Sequence, residues 1–167
     1  MIVTGKPGGG KTLLITNILN RLENLQYKFF DFLEPKALEG QTLLEVQVIQ
    51  LNAMKYSNCF PFLLESMEKI CKIAKVDFNK NNFKNSVYLL ETFKLKLVNI
   101  LKKFKFVILI DELDTLATHD RKDFDMIVEF LNISDKGFVK IGISNTLDLF
   151  ATYKGTKNYL NSKKLTF

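Results

Sequence analysis

Eight residues near the start of the chain, Gly5-Lys6-Pro7-Gly8-Gly9-Gly10-Lys11-Thr12, restrict its fold more than anything else in it. They follow an apolar run, Met1-Ile2-Val3, and precede a stretch of helical periodicity, Leu13-Leu14-Ile15-Thr16-Asn17-Ile18-Leu19. Gly-x4-Gly-Lys-Thr between a strand and a helix is the pattern of a phosphate-binding loop. Its glycines let successive backbone N–H groups turn inward on phosphate oxygens, the following helix aims the positive end of its dipole at them, and Lys11 adds a full charge. Thr12 is then placed to ligate Mg2+, and the ligand implied is a nucleoside triphosphate. The competing reading is a glycine turn that merely caps a helix.

A second string points to the same chemistry. Phe106-Val107-Ile108-Leu109-Ile110 is an apolar run that ends in Asp111-Glu112-Leu113-Asp114. A parallel strand buried on both faces is apolar throughout, so carboxylates at its end emerge at the sheet edge where ligands bind. There Asp111 would hold Mg2+ through its water shell, and Glu112 would orient, or take a proton from, the water that attacks the γ-phosphate. The alternative is a helix beginning at Asp111 whose carboxylates serve only the dipole. A third run, Phe138 to Ser144, delivers Asn145-Thr146 to its carboxyl end. An amide at that place can donate to the γ-phosphate and accept from water, although an asparagine after a strand is by itself a common turn former.

The rest of the chain is consistent with a domain built around these strands. At 167 residues and 47% hydrophobic content it can bury one substantial core, and no linker or repeat divides it, so residues 1–167 read as a single domain. Strands are expected near Ile2 to Thr4, Val46 to Leu51, Phe106 to Asp111 and Phe138 to Ser144, with a short fifth over Lys164 to Phe167. Helices are expected over Lys11 to Leu25, Pro61 to Ala74, Val87 to Lys103 and Lys122 to Leu131. Asn79 to Asn82 reads as a loop, and within the segment Tyr27 to Leu44 the run Phe29-Phe30-Asp31-Phe32-Leu33 reads as either a strand or an aromatic surface insertion, ended by Pro35. The alternation indicates an α/β fold with a mostly parallel sheet. No apolar stretch approaches the roughly 20 residues that a membrane helix needs, and no secretory signal is visible. Cys59 and Cys71 match no metal or redox spacing and read as buried free thiols of a reducing compartment.

Taken in order, Gly5 to Thr12, Leu51-Asn52-Ala53-Met54-Lys55, Ile108 to Asp114 and Ile141-Gly142-Ile143-Ser144-Asn145-Thr146-Leu147-Asp148-Leu149 resemble the AAA+ replication-initiator ATPases, the family of origin recognition complex subunit 1 and cell division control protein 6. The last string and Phe60 to Cys71 are nearer the second of these, Thr118-His119 nearer the first. The resemblance covers roughly residues 1–150 and implies a P-loop NTPase three-layer sandwich with a five-stranded parallel sheet in the order 5-1-4-3-2. It implies Walker A at Gly5, Lys6, Pro7, Gly8, Gly9, Gly10, Lys11 and Thr12, Walker B at Asp111 and Glu112, and sensor 1 at Asn145. Lys11, Glu112 and Asn145 would then be the catalytic residues, Thr12 and Asp111 the metal residues, and ATP and Mg2+ the cofactors. The implied setting is nuclear: a hetero-oligomer with origin recognition complex subunits, origin DNA and the replicative helicase.

The chain departs from that family in its basic residues. Of 24 lysines and arginines only Arg21 and Arg121 are arginine, against 18 acidic residues and a net charge of +6. No arginine after Arg121 is available as a finger or lid residue, and lysine lacks the planar fork that suits a transition-state phosphoryl group. The helical lid is expected to be absent, and hydrolysis by the chain alone to be weak, or lost in a scaffold that binds nucleotide or none. A nucleoside monophosphate kinase shares the loop and the size, but such enzymes surround their phosphates with several arginines. The basic balance suits nucleic-acid contact and lysine-rich composition alike. His119 reads as a solvated loop residue, and Lys94, Lys96, Lys102, Lys103 and Lys105 as a solvated face.

Overall fold

The computed structural model describes residues 1–24, 45–117, 120–133, 135–146 and 164–166. The aromatic segment Tyr27 to Leu44, His119 and the Leu147-Asp148-Leu149 end of the last motif lie outside them. Among the described residues there are five strands: β1 (Ile2–Thr4), β2 (Glu45–Asn52), β3 (Phe104–Asp111), β4 (Phe138–Ser144) and β5 (Lys164–Thr166). Five helices accompany them: α1 (Lys11–Asn24), α2 (Cys59–Ala74), α3 (Ser86–Ile100), α4 (Leu113–Ala117) and α5 (Arg121–Asn132). The strands form one sheet in the order β2-β3-β4-β1-β5, and each neighbouring pair is parallel. The expected α/β P-loop class is therefore the class observed.

Side-chain alternation along the strands divides the core in two. Phe106, Ile108 and Ile110 of β3 and Ile49 and Leu51 of β2 face α2, α3 and α5, while Val107, Leu109, Ile141, Ile143 and Val3 pack with Ile15 and Leu19 of α1. The first cluster is the larger and is built around aromatic rings. Phe130 of α5 meets Phe62 of α2, Phe93 of α3 and Phe138 of β4 at centroid distances of 5.7, 6.0 and 6.0 Å. Each such ring, fully buried, stabilises the fold by about 1.5–3 kcal/mol.

Local chemistry sets the helix boundaries. Asn58, Asn85 and Asp120 cap α2, α3 and α5 by accepting backbone N–H groups of the first turn, so α2 starts two residues before the expected Pro61. Helix α3 stops at Ile100 rather than Lys103, because the chain must already be extended at Phe104 to pair with Glu45 of β2. The expected loop at Asn79 contains a 3-10 turn, Lys80–Asn82, whose Asn81 N–H is held by the Asn79 side chain. Cys59 and Cys71 are buried free thiols, as expected. No described helix is long and apolar enough to cross a membrane.

Candidate phosphate-binding site

The sheet order assembles the site. Strand β4 lies between β1 and β3, in register Thr4 with Ser144 and Ile110 with Gly142. The residue after β4, Asn145, therefore falls between the loop after β1 and the carboxylates after β3. An open pocket of about 340 Å³ at this edge is lined by Pro7, Gly8, Gly9, Gly10, Lys11, Thr12, Leu13, Glu112 and Asn145. Parallel sheets bind ligands at this carboxyl edge.

The loop has the backbone of an anion cradle. Gly8 and Gly10 take φ of +78° and +72°, left-handed values that a Cβ would strain, and the Leu14 N–H donates to Gly10 O at 2.9 Å to start α1. Lys11 is 4% exposed, and its Nζ donates to Gly5 O at 2.9 Å, Lys6 O at 2.8 Å and Asn145 Oδ1 at 3.0 Å. Gly5 and Lys6 thus act here through their carbonyls and are not among the pocket-lining residues. Its three N–H groups are thus all engaged within the protein, and the Gly9 N–H donates to Lys6 O at 3.3 Å, so a phosphate drawn by the Lys11 charge would replace bonds now made to carbonyls and to Asn145.

The carboxylates divide between two tasks. Thr12 Oγ1 donates to Asp111 Oδ1 at 3.0 Å, which pairs the hydroxyl and carboxylate that a hard cation would need. Among the described residues no group of three histidines, cysteines or acids converges into a cage. A cation here would therefore take most of its ligands from phosphate and water, as Mg2+ does. Glu112 turns the other way. Its Oε2 accepts from Asn145 Nδ2 at 2.7 Å, and burial together with the Asp111 and Asp114 carboxylates raises its proton affinity above that of an ordinary glutamate, against the pull of Lys11 and Asn145. A carboxylate so placed is a better proton acceptor than one in water.

Glu112 also adopts φ of +55°, which is uncommon outside glycine. The turn is held from both sides: its N–H donates to Asp111 Oδ1 at 3.1 Å, and its carbonyl accepts from the Thr115 N–H at 3.0 Å and the Thr115 hydroxyl at 2.8 Å. The chain here is neither strand alone nor helix from Asp111. It leaves β3 at Asp111, reverses at Glu112 and enters α4 at Leu113. The structure brings together Lys11, Thr12, Asp111, Glu112 and Asn145, and it adds Leu13, Asp114 and Thr146, which the sequence motifs alone do not single out. Leu13 is 68% exposed and lines the pocket, and its place in the first turn after the loop was the available signal.

Comparison with known proteins bears on the fold that carries this site. Residues 1–144 match the family described as Nephrocystin 3, N-terminal. Origin recognition complex subunit 1 of Schizosaccharomyces pombe is 24% identical over 154 residues, 89% of this chain and 18% of that protein. The Aeropyrum pernix ORC1 protein in complex with DNA superposes with a TM-score of 0.66 at 19% identity, over 99% of this chain and 38% of that one. CDC6P from Pyrobaculum aerophilum gives 0.65 at 12% identity, over 99% and 38%. Drosophila ORC bound to DNA gives 0.62 at 15% identity, over 100% and 36%. The resemblance to the replication-initiator AAA+ proteins is thus borne out, and the solved structures share the fold. The chain spans less than two-fifths of the length of each of these relatives.

Proposed function

This chain belongs to the Nephrocystin 3, N-terminal family, and from its site and its similarity to origin recognition proteins we propose that it is an ATP-binding AAA+ core that works as a nucleotide-controlled subunit of a replication-initiation assembly. The observation that carries the proposal is the convergence of Lys11, Thr12, Asp111, Glu112 and Asn145 on one sheet edge, from three strands adjacent in the order β3-β4-β1. The five-strand order β5-β1-β4-β3-β2 supports the finer reading as an AAA+ core with Walker A, Walker B and sensor 1 at these positions.

The roles follow from the chemistry. Backbone N–H groups of Gly8, Gly10 and Lys11 and the charge of the Lys11 ammonium would bind the phosphates, and Thr12 with Asp111 would hold the cation. Bound Mg2+ supplies charge neutralisation on the phosphate oxygens. Glu112 takes the proton of the attacking water, while Asn145 orients that carboxylate through Nδ2 and reports the γ-phosphate. Glu112 can accept that proton without leaving its hydrogen bond, because Asn145 occupies only Oε2.

The partners proposed are other origin recognition subunits, origin DNA and the replicative helicase, in the nucleus. This reading is supported by the curated origin recognition relative and by the similar structures captured on DNA. A second reading, a nucleotide-dependent or nucleotide-free scaffold subunit without turnover, is favoured by one observation: within these 167 residues no arginine follows Arg121. The deciding experiment is binding of a fluorescent ATP analogue, with and without Mg2+, to the wild type and to Lys11→Ala. Mg2+-dependent binding lost in the variant supports the proposal; a folded wild type that binds nothing refutes it. Turnover stimulated by DNA and partner subunits would eliminate the scaffold.

A further inference from the structure

We infer that Asp114 is a positioning residue that holds Asn145 against Glu112, so that discrimination between ATP and ADP depends on a carboxylate outside the pocket lining. The inference rests on the nucleotide-binding role proposed above and adds a residue to it.

Both oxygens of Asp114 are directed at the two residues that follow β4. Oδ1 accepts the Asn145 N–H at 3.3 Å and Oδ2 accepts the Thr146 hydroxyl at 3.4 Å. Each bond is long, and their effect lies in acting together on one turn. That turn is also closed on itself, since Ser144 Oγ accepts the Thr146 N–H at 3.0 Å and donates to Thr146 O at 3.2 Å. Asp114 joins this turn to the neighbouring element beside the Glu112 bond to the Asn145 side chain, and α4 is firmly placed to carry it. Leu113, fully buried, packs against β4 at Gly142, where an added Cβ would lie only 2.5 Å from its Cδ2. Thr115, also in α4, fastens the start of that helix to the Glu112 carbonyl.

Glu112 and Asp114 are therefore two residues apart on one rigid turn, and they grip Asn145 at different points. Glu112 takes its side-chain amide and Asp114 its backbone N–H. Fixing both ends leaves Asn145 Oδ1 aimed at Lys11, with 3.0 Å between them. An asparagine that reads a γ-phosphate must be held in this way, because an amide free to rotate pairs equally well with water.

Asp114 also raises the proton affinity of Glu112 by its charge, so the test must separate position from charge. Asp114→Asn keeps an acceptor and removes the charge, whereas Asp114→Ala removes both. Dissociation constants for ADP and for a non-hydrolysable ATP analogue, each with Mg2+, are measured on the wild type, both variants, Asn145→Ala and the Asp114→Ala/Asn145→Ala double variant. Asp114→Ala is expected to lower the ATP-to-ADP preference about fivefold while ADP affinity stays within about twofold. Asp114→Asn should restore most of the preference, and the double variant should be no worse than Asn145→Ala alone. Hydrogen exchange at the Asn145 amide should accelerate in Asp114→Ala without any ligand.

If Asn145→Ala loses the preference and Asp114→Ala keeps it with unchanged exchange, the inference fails and the proposed function stands. Additive losses in the double variant overturn it as well. If the wild type binds neither nucleotide, the proposed function fails, and the inference fails with it.

Discussion

Replacing Glu112 by glutamine separates two consequences of the site that a simple loss of function would merge. The side chain keeps its shape and still offers an oxygen to Asn145 Nδ2, but the charge-assisted bond at 2.7 Å becomes neutral, which forfeits about 1 kcal/mol. Against this, the anion is disfavoured by burial and by the carboxylates of Asp111 and Asp114, and its proton affinity is raised even with Lys11 and Asn145 opposing. That direction is the net of all these effects, the Asn145 bond included, so removing the charge stabilises the folded chain at neutral pH. Solvent reaches this half-exposed group and screens it, which limits the gain to about 0.2–1 kcal/mol. For a chain of this size that is a rise in Tm of at most about 3 °C.

The pH dependence fixes the sign independently. A carboxyl whose proton affinity is higher in the folded state binds more protons there than in the unfolded chain, across the window between its two titrations. Wild-type stability therefore falls as pH rises through that window, whereas Glu112→Gln lacks this loss. The Tm difference should be near zero in acid, open as pH rises through the glutamate range, and level off above it. Scanning fluorimetry from about pH 4 to pH 8 covers the window. Turnover should fall about 10²–10⁴-fold while affinity for ATP is kept. A variant that melts below the wild type at neutral pH, or a difference independent of pH, would refute the account of Glu112 as a strained anion.

Three further perturbations test the scaffold that carries the site. Gly142→Ala drives a Cβ toward the buried Leu113 and should cost about 1–3 kcal/mol of stability, read from urea midpoints, with no change expected if α4 does not pack as described. Phe130→Ala removes a fully buried ring that meets three other phenylalanines and should cost about 3–5 kcal/mol; a loss below about 1 kcal/mol in the same assay would contradict the core assignment. Lys140 is buried, donates to the Ile133 carbonyl at the end of α5 and lies 4.7 Å from the Phe138 ring centre, and burial pushes its ammonium down to about 8 despite Asp135. Between that value and the ordinary lysine value the unfolded chain holds the extra proton, so Lys140 contributes stability that rises with pH across the window. The buried thiols and Tyr56 oppose it, and the wild-type-minus-Lys140→Met difference in stability should therefore rise with pH there whatever the sign of the total slope.

What the sequence discloses and what it withholds follow from how far apart the interacting residues lie. Lys11, Thr12, Asp111 and Glu112 are legible because each belongs to a short contiguous string whose spacing is itself the chemical requirement, and a buried strand must surface its polar residues at its end. Asn145 is half-legible. Its place after an apolar run is visible, but its 3.0 Å bond to a lysine 134 positions earlier exists only because β4 inserts between β1 and β3. The left-handed turn at Glu112 has no signal at all, since no glycine or asparagine marks it; the conformation is imposed by Asp111 and Thr115 and by α4 turning back onto β4. Helix α4, five residues long, is too short to show periodicity, and so the Asp114 contact it carries is invisible before the fold is known. On the proposed function, the locally encoded part of this site is the part that would bind phosphate, while the part that would distinguish one phosphate state from another is assembled by topology. Substitutions that alter the packing of α4 against β4 should therefore weaken discrimination before they weaken binding.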